Sequence, residues 1–368
     1  EDIKNIQRAI SPSFSLLPIL FRKIEDQEEK LFRLTKDQMM LLDFLAVRKR
    51  ACIKGVAGSG KTMLAQAQAE KFADAGMKTL LVCYNKTLAK WLRDNISPDY
   101  SEILTVIHFH GLCSEWCKKA RIPFKPPLND EEKFWQEDAP DLLIDAIDYL
   151  DNNFDAVIVD EGQDFHSDWW IPLEHINSAG DEGTMYVFYD PNQNLYIGQD
   201  ASLPALGEPF NLPVNCRNTK LIAGLCSSIL DLEIPTKEDA PFGDEPKILQ
   251  LESSFEIRKN VERYVHEWVN QGKLKPSQVA VLSPFKLNNS SLADCNKLRG
   301  IELTDDVSRW KAEKGILFST VKGFKGLEAD AILLIDVPKI DEASLFKKSD
   351  YYVACSRAKH LLVTLSQE

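Results

Sequence analysis

Short apolar runs alternate with longer segments of helical periodicity along most of this chain of 368 residues. Each apolar run is followed by turn residues, which is typical of a strand that is buried on both faces. Such strands occur in parallel sheets whose two faces are covered by helices. The pattern therefore predicts an α/β fold with parallel sheets. The predicted strands are Arg50–Lys54, Thr79–Tyr84, Ala156–Asp160, Thr184–Tyr189, Ala280–Ser283, Gly315–Thr320, Ala331–Asp336 and Leu361–Leu365.

The segments around the first strands predict helices and a less regular beginning of the chain. Helices are predicted over Lys61–Ala75 and Thr87–Asn95, and Thr35 is the predicted N-cap of an earlier helix. The mixed segment 1–30 predicts a linker or the remnant of an upstream domain. Since the chain begins with Glu1 rather than Met, we expect a further segment upstream.

The charge is distributed unevenly along the chain. Its net value is −12, yet residues 101–250 contain 28 acidic and 9 basic side chains, and no Lys or Arg occurs between Phe134 and Cys216. The remaining residues contain 35 basic and 28 acidic side chains. This distribution excludes a uniform positive field but leaves a nucleic-acid partner open.

The cysteines and the apolar runs predict a cytoplasmic protein that does not span a membrane. None of the eight cysteines forms a CxxC pair, and several lie in apolar runs, which indicates buried, reduced thiols. No apolar run approaches the ~20 residues that a transmembrane helix needs. The ordinary composition, 44% apolar and 27% charged, excludes a disordered or fibrous chain.

The sequence GVAGSGKT at positions 55–62 fits the phosphate-binding pattern G-x-x-x-x-G-K-[ST] and lies between a predicted strand and a predicted helix. Gly55, Gly58 and Gly60 would let backbone N–H groups surround the phosphates. Lys61 is predicted to reach the β- and γ-phosphates, and the Thr62 hydroxyl is predicted to bind Mg²⁺. The motif alone does not distinguish a kinase, a GTPase and an ATPase.

Two acidic residues end the predicted strand over 156–160. Asp160 is placed to hold Mg²⁺, and Glu161 is placed to act as general base towards an attacking water. A kinase needs no water-activating glutamate, so this pair favours hydrolysis.

Asp160-Glu161-Gly162-Gln163-Asp164 resembles the D-E-x-Q-D box of superfamily 1 helicases of the UvrD/Rep type. Further boxes follow in the order of that family, and together they cover residues 34–359. They are Leu34–Gln38 (the Q motif), Tyr84–Leu92, Thr105–Cys113 (T-F-H-S-L-C), Tyr189–Tyr196 (G-D-P-x-Q-x-I-Y), Asn215–Asn218 (N-Y-R-S), Thr320–Glu328 (T-x-H-x-x-K-G-L-E) and Tyr352–Lys359 (Y-V-A-L-T-R-A-K).

The resemblance implies two RecA-like P-loop NTPase domains, at 31–212 and 213–368, with ATP and Mg²⁺ in the cleft between them. A short insertion in the first domain would lie at about 114–150. The implied catalytic residues are Lys61, Glu161, Gln193, Arg217 and Arg357, and Thr62 and Asp160 would hold the metal. The implied nucleotide contacts are Gln38, Gly55, Gly58, Gly60, Lys61, Thr62 and Glu328. The implied nucleic-acid contacts are Asn85, Lys86, Thr105, His108, Phe109, His110, Tyr196 and Lys322.

Three departures from the family predict a minimal form of the motor. Cys216 stands where the family has a tyrosine, and no tryptophan follows Tyr196. Only about 100 residues separate the box at 215–218 from the box at 320–328, where unwinding relatives have a large subdomain. ATP hydrolysis is therefore predicted more strongly than processive duplex separation.

The leading hypothesis is a nucleic-acid-dependent ATPase that translocates on single-stranded DNA or RNA, joined in one version to an upstream nuclease domain. The alternative is an ATP-dependent regulatory switch that controls a partner nuclease or another effector. A small-molecule kinase is a weaker third hypothesis, because Glu161, Arg217 and Arg357 all favour attack by water. Two smaller predictions are that Trp169 and Trp170 belong to the core, and that Asp141, Asp145, Asp148 and Asp151 form an acidic ridge at helical spacing.

Overall fold

The computed structural model describes residues 20–45, 48–127, 129–150, 153–193, 203–204, 206–338 and 346–367, and for 34–38 and 41 it describes the backbone alone. The strands are β1 (Arg50–Gly55), β2 (Thr79–Cys83), β3 (Leu104–His108), β4 (Ala156–Asp160), β5 (Thr184–Tyr189), β6 (Phe210–Leu212), β7 (Lys247–Leu251), β8 (Val279–Ser283), β9 (Lys297–Leu298), β10 (Ile301–Thr304), β11 (Ile316–Thr320), β12 (Ala329–Val337) and β13 (Ala358–Gln367).

Helices connect most of these strands. The α-helices are α1 (Leu20–Gln38), α2 (Met40–Leu45), α3 (Lys61–Asp74), α4 (Lys86–Asn95), α5 (Phe109–Ala120), α6 (Glu131–Lys133), α7 (Ala139–Leu150), α8 (Trp170–His175), α9 (Lys220–Leu230), α10 (Ser254–Val265), α11 (Val307–Lys311) and α12 (Lys348–Ser356). Turns of π-helix join α6 to α7 (Phe134–Asp138) and continue α10 (His266–Gln271). Turns of 3₁₀-helix lie at Pro98–Tyr100, Gly162–Asp164, Ser167–Trp169, Gly180–Glu182, Pro191–Gln193, Pro276–Gln278 and Leu287–Asn289.

The first sheet contains six parallel strands in the order β3-β2-β4-β5-β1-β6. One face is covered by α3 and α4, whose Leu64 and Leu88 are buried in the same cluster as Ile158. The other face is covered by α5 and α7, which bury Trp116 and Leu143. The predicted parallel sheet with both faces covered is confirmed here. We call described residues 48–212 the first half of the chain and 213–367 the second half.

The second sheet contains seven strands in the order β7-β13-β12-β8-β11-β10-β9 and is mixed rather than wholly parallel. Its strands pair in parallel except β9 and β10, which are antiparallel. Arg299 and Gly300 join these two strands with φ values of 49° and 86°. Two successive positive φ values fit a tight hairpin turn. The expectation of two all-parallel sheets is therefore wrong for this edge.

Helix α1 packs against the second half. Residues 20–30, part of the segment predicted to be a linker or the remnant of an upstream domain, are helical, and Ile24 is buried in one cluster with Tyr264 and Trp268. Glu28 accepts hydrogen bonds from Lys359, at 2.7 Å, and is bonded to His360. The helix runs through Thr35, so the prediction of an N-cap there is wrong.

Several predictions about burial are confirmed. All eight cysteines are free and buried, and Trp169 and Trp170 are buried in the first core cluster. Asp141, Asp145 and Asp148 are exposed along α7, while Asp151 lies outside the described residues. Within the described ranges, no helix is both long and apolar enough to cross a bilayer.

Candidate functional site

The loop between β1 and α3 has the local conformation that the phosphate-binding motif predicts. Gly58 and Gly60 adopt φ values of 73° and 82°, which glycine tolerates and other residues adopt at a cost. A Cβ atom on Gly58 would lie 2.5 Å from the Oδ1 atoms of both Asn215 and Asn218. The N–H of Cys216 donates to the Gly58 carbonyl at 3.0 Å. Asn215 and Asn218 of the second half therefore pack directly on this loop, and their side chains leave no room for a Cβ atom at position 58.

Lys61 begins α3, and its side chain is almost wholly buried. Its Nζ donates to the carbonyl oxygens of Gly55 and Val56, at 3.0 and 2.9 Å. The same Nζ lies 3.6 Å from Oδ2 of Asp190. An ammonium group held at the mouth of this loop is suited to binding phosphate oxygens.

Asp160 places a carboxylate at the carboxyl end of the first sheet, and Thr62 places a hydroxyl at the start of α3. Asp160 is fully buried, and its Oδ1 accepts from the N–H of Glu161 at 3.0 Å. Among the described residues its Oδ2 has no hydrogen-bond partner. Burial, with a smaller contribution from Glu161, raises the pKa of Asp160 to about 7, and the nearby Thr62 and Lys61 oppose the shift. A carboxylate oxygen beside a hydroxyl fits the oxygen ligands that Mg²⁺ prefers.

The Asp160→Asn variant is expected to be more stable than the wild type at pH 8 in the absence of Mg²⁺. The folded state raises the pKa of Asp160, so the unfolded chain binds fewer protons between about pH 4 and pH 7, and the stability of the wild type falls as pH rises. The stability advantage of the variant should therefore grow as the pH rises from 4 to 8. Thermal unfolding between pH 4 and pH 8 checks this, and a pH-independent difference between the two proteins would contradict it.

Glu161 follows Asp160 in a left-handed backbone conformation, with φ 57° and ψ 44°. Such a conformation is unusual for a residue with a Cβ and often marks a functional position. The carboxylate is buried and accepts from Nε2 of Gln163. Burial raises the pKa of Glu161, but Lys325, Lys61 and Arg357 together lower it below its ordinary value. The group is thus ionised at neutral pH, as a general base must be.

Two hydrogen bonds and one ion pair connect Arg357 of the second half to Lys61. Nη2 of Arg357 donates to Oε1 of Gln193 at 2.6 Å, and Nε2 of Gln193 donates to Oδ2 of Asp190 at 2.7 Å. Asp190 in turn lies 3.6 Å from Lys61, as described above. The structure therefore brings three of the predicted catalytic residues, Lys61, Gln193 and Arg357, into one network.

Arg217 is the remaining predicted catalytic residue, and it lies beside the same loop. Its Nη2 donates to Oε1 of Glu328, which was predicted to contact the nucleotide. Both line a cavity of about 210 Å³ between the two halves, which Thr62 lines from the first half. Lys311 also lines this cavity, and burial lowers its pKa. Basic side chains (Arg217, Lys311 and Lys359) and acidic side chains (Glu328 and Asp330) both line this cavity.

The network includes residues to which sequence reasoning assigned no role. Lys325 is fully buried, and its Nζ donates to Oδ1 of Asp164 at 2.6 Å and to the carbonyl of Gln193. The hydroxyl of Tyr352 accepts from the N–H of Ala57 at 2.9 Å. Both Lys325 and Tyr352 lie within boxes that the resemblance identified. Their position in those boxes is the sequence signal that could have indicated a role in the site.

The residues that were predicted to contact a nucleic acid do not lie together in one cavity. His110 lines one cavity of the first half, Thr105 lines another, and Lys322 lines a third in the second half. Lys86 is exposed at the start of α4. Burial lowers the pKa of His108 to about 4, so its imidazole is neutral at pH 7.

The predicted nucleic-acid contact of Phe109 is wrong, and the predictions for Tyr196 and Gln38 concern atoms that the structure does not describe. Phe109 is fully buried and stacks on Trp169 with ring centroids 4.6 Å apart. It belongs to the core and cannot reach a nucleic acid from this position. Tyr196 lies outside the described residues, and so does the side chain of Gln38.

Asn85 connects the two halves. Its Oδ1 caps α4 by accepting from the N–H groups of Thr87 and Leu88, at 2.7 and 3.2 Å. Its Nδ2 donates across to the carbonyl oxygens of Lys322 and Lys325, at 3.3 and 3.2 Å. The predicted nucleic-acid contact of this side chain would therefore compete with two structural roles.

The Asn85→Ala variant is expected to unfold at a lower temperature than the wild type. It loses the cap, worth about 1 kcal/mol, and two hydrogen bonds between the halves, worth about 1 kcal/mol together. Asn85→Ser is the matched control, because serine caps helices well but is too short to reach the second half. Thermal unfolding should place the serine variant between the other two proteins, and equal midpoints for alanine and serine would contradict the capping role.

A scan against models of protein families found no match, and a search of curated proteins found no match either.

Proposed function

We propose that the protein is an ATPase with two RecA-like domains, 31–212 and 213–368, which hydrolyses ATP as it moves along single-stranded DNA or RNA. The observation that carries the proposal is the network that joins Arg357, Gln193, Asp190 and Lys61 across the two halves. Such a network lets a change at the phosphate-binding loop alter the contact between the halves. This coupling is what a motor driven by ATP requires.

In the proposed reaction, the glycine loop and Lys61 bind the phosphates of ATP, and Arg217 and Glu328 line the cavity beside them. Thr62 and Asp160 would hold Mg²⁺, which, when bound, neutralises charge on the phosphates. The water attacks the γ-phosphorus as its proton passes to Glu161, and the bond from that phosphorus to the bridging oxygen breaks, so that ADP leaves with the oxygen. Arg357 and Arg217 then stabilise the negative charge that develops on the transferred phosphoryl group.

The second half supports the minimal form of this motor. Residues 218–318, which the structure describes throughout, belong to helices and strands of the seven-stranded sheet and to their connections. The described part of the chain thus holds no separate subdomain at the position where unwinding relatives carry one. Translocation or switching without processive unwinding fits this architecture best.

Phosphate release, measured with and without single-stranded DNA or RNA, tests the proposal. Strong stimulation by either nucleic acid is expected, and the Lys61→Ala variant should abolish both the basal and the stimulated rate. Loss of nucleic-acid stimulation with intact basal turnover would instead favour a regulatory switch. No ATP hydrolysis under any condition would overturn the proposal.

The regulatory switch is the second candidate. The residues predicted to contact a strand are divided among several cavities, and the side chain of Asn85 is hydrogen-bonded between the halves. In that case the state of the nucleotide would change the contact between the halves and so control a partner protein.

A further inference from the structure

A second cavity, of about 400 Å³, lies on the first half beyond the carboxyl ends of β2, β3 and β4. Its walls are aromatic: Tyr84, His110, Trp135 and Trp169 line it. The ring centroids of His110 and Trp135 lie 4.9 Å apart, and those of Tyr84 and Trp169 lie 5.6 Å apart. We call this cavity the aromatic pocket. Tyr84, His110 and Trp135 are only half-buried, so their rings remain accessible from the pocket.

A buried carboxylate also lines the aromatic pocket. Asp164 is 1% exposed, and its Oδ1 accepts from Lys325. Among the residues that the structure describes, its Oδ2 has no hydrogen-bond partner. A buried acceptor without a partner is costly, so a donor that enters the pocket would be stabilised there.

The charged side chains that line the aromatic pocket are acidic. They are the exposed Glu132 and the buried Asp164, and no Lys or Arg is among the described residues of the lining. Burial lowers the pKa of His110, so its imidazole adds no positive charge at neutral pH. This field repels phosphate groups and attracts cations.

We infer that the aromatic pocket binds an arginine side chain presented by a basic segment of a partner protein. A planar guanidinium stacks on aromatic faces and donates hydrogen bonds to carboxylates. The rings of Tyr84 and Trp135 provide such faces, and Asp164 and Glu132 provide the carboxylates. Neutral nucleobases can also stack on aromatic rings, but the phosphates attached to them would meet the acidic rim.

Through Asp164, an arginine bound in the aromatic pocket would affect the proposed ATP site. Lys325 bridges Asp164 to the carbonyl of Gln193 and lies 3.8 Å from Oε2 of Glu161. A guanidinium beside Asp164 would compete with Lys325 for that carboxylate. This effect on ATP turnover rests on the proposed function, whereas the binding of arginine does not.

Calorimetric titration of the full chain, without ATP, tests the binding. The probe is a short glycine-rich peptide with one central arginine between two lysines, and its control carries citrulline, a neutral isostere, in place of the arginine. We expect the arginine peptide to bind about tenfold more tightly than the citrulline peptide. Because ATP is absent, a failed titration overturns this inference without touching the proposed ATPase.

Variants locate the binding site. Trp135→Ala and Glu132→Gln should each weaken the arginine peptide severalfold, up to about tenfold for the tryptophan. Glu131→Gln is the matched control, since it removes the same charge one residue away and outside the lining, and it should leave affinity unchanged. Thermal unfolding shows whether Trp135→Ala is folded, and Glu132→Gln tests the site independently.

Three outcomes would overturn the inference. The first is equal binding of the arginine and citrulline peptides, and the second is no saturable binding of either. The third is competition between free nucleosides and the arginine peptide with a clear preference for the nucleosides, which would identify the pocket as a site for nucleobases.

Discussion

Replacing Glu161 with glutamine is expected to lower ATP turnover by about 10²–10⁴-fold while ATP binding is retained. Glutamine has nearly the same shape, so it can keep the contact with Gln163, but it cannot accept a proton from water. The positive charges of Lys325, Lys61 and Arg357 keep the wild-type carboxylate ionised, so the loss is that of an active base. Phosphate release and equilibrium binding of a fluorescent ATP analogue measure the two effects.

Glu182→Gln is the control for this prediction, because Glu182 is an exposed acid of the same half, distant in sequence from the motif. Its turnover should equal that of the wild type. If Glu161→Gln hydrolyses ATP within a few-fold of the wild-type rate, Glu161 is not the general base, and another group must activate the water.

Replacing Arg357 with alanine is expected to reduce the turnover number by about 10³–10⁵-fold, the effect of removing an arginine that stabilises the transferring phosphoryl group. Arg357 follows α12, and its Nε donates to the carbonyl of Val353 at 3.2 Å, which holds the guanidinium towards Gln193. The loss should fall on turnover rather than on ATP affinity, since the charge that arginine stabilises develops in the transition state.

Arg357→Lys and Arg309→Ala separate chemistry from folding in this experiment. Lysine keeps the charge but lacks the planar fork of arginine, so its turnover should stay well below that of the wild type. Arg309 is an exposed arginine of the same half that pairs with Glu302, and its loss should change turnover little. A wild-type rate in Arg357→Ala would remove Arg357 from the reaction and leave it a structural partner of Gln193.

Most of the central strands and the phosphate-binding loop could be predicted from sequence, because apolar runs and the glycine motif are local patterns. The strands over 156–160 and 184–189 have the predicted bounds, and α3 begins at Lys61 as the motif requires. The weaker strands β3, β6, β7, β9 and β10 were not predicted as strands. They are short or carry polar residues, so their strand character depends on neighbours in the sheet rather than on their own apolar pattern.

The candidate site, too, could be predicted from sequence only in part. The motifs placed Asp160 and Glu161 at the end of one strand, but a motif cannot show that Asp160 keeps an unpartnered oxygen or that Glu161 adopts a left-handed conformation. The burial of Phe109 was not predicted. This residue begins the helix that follows β3, and the local sequence does not show which face of that helix packs on the sheet.

Sequence by itself determined the alternation of strands and helices, the glycine loop with its lysine, and the acidic pair that follows a buried strand. These depend on periodicity and on residue types a few positions apart, so they can be recognised within one segment. Only the tertiary structure decided that Arg357 reaches Gln193, that Asn215 and Asn218 pack on Gly58, and that Asp164 joins an aromatic pocket to the network of Lys325. Those contacts join residues far apart in the chain, and their distances exist only once the two sheets have packed together.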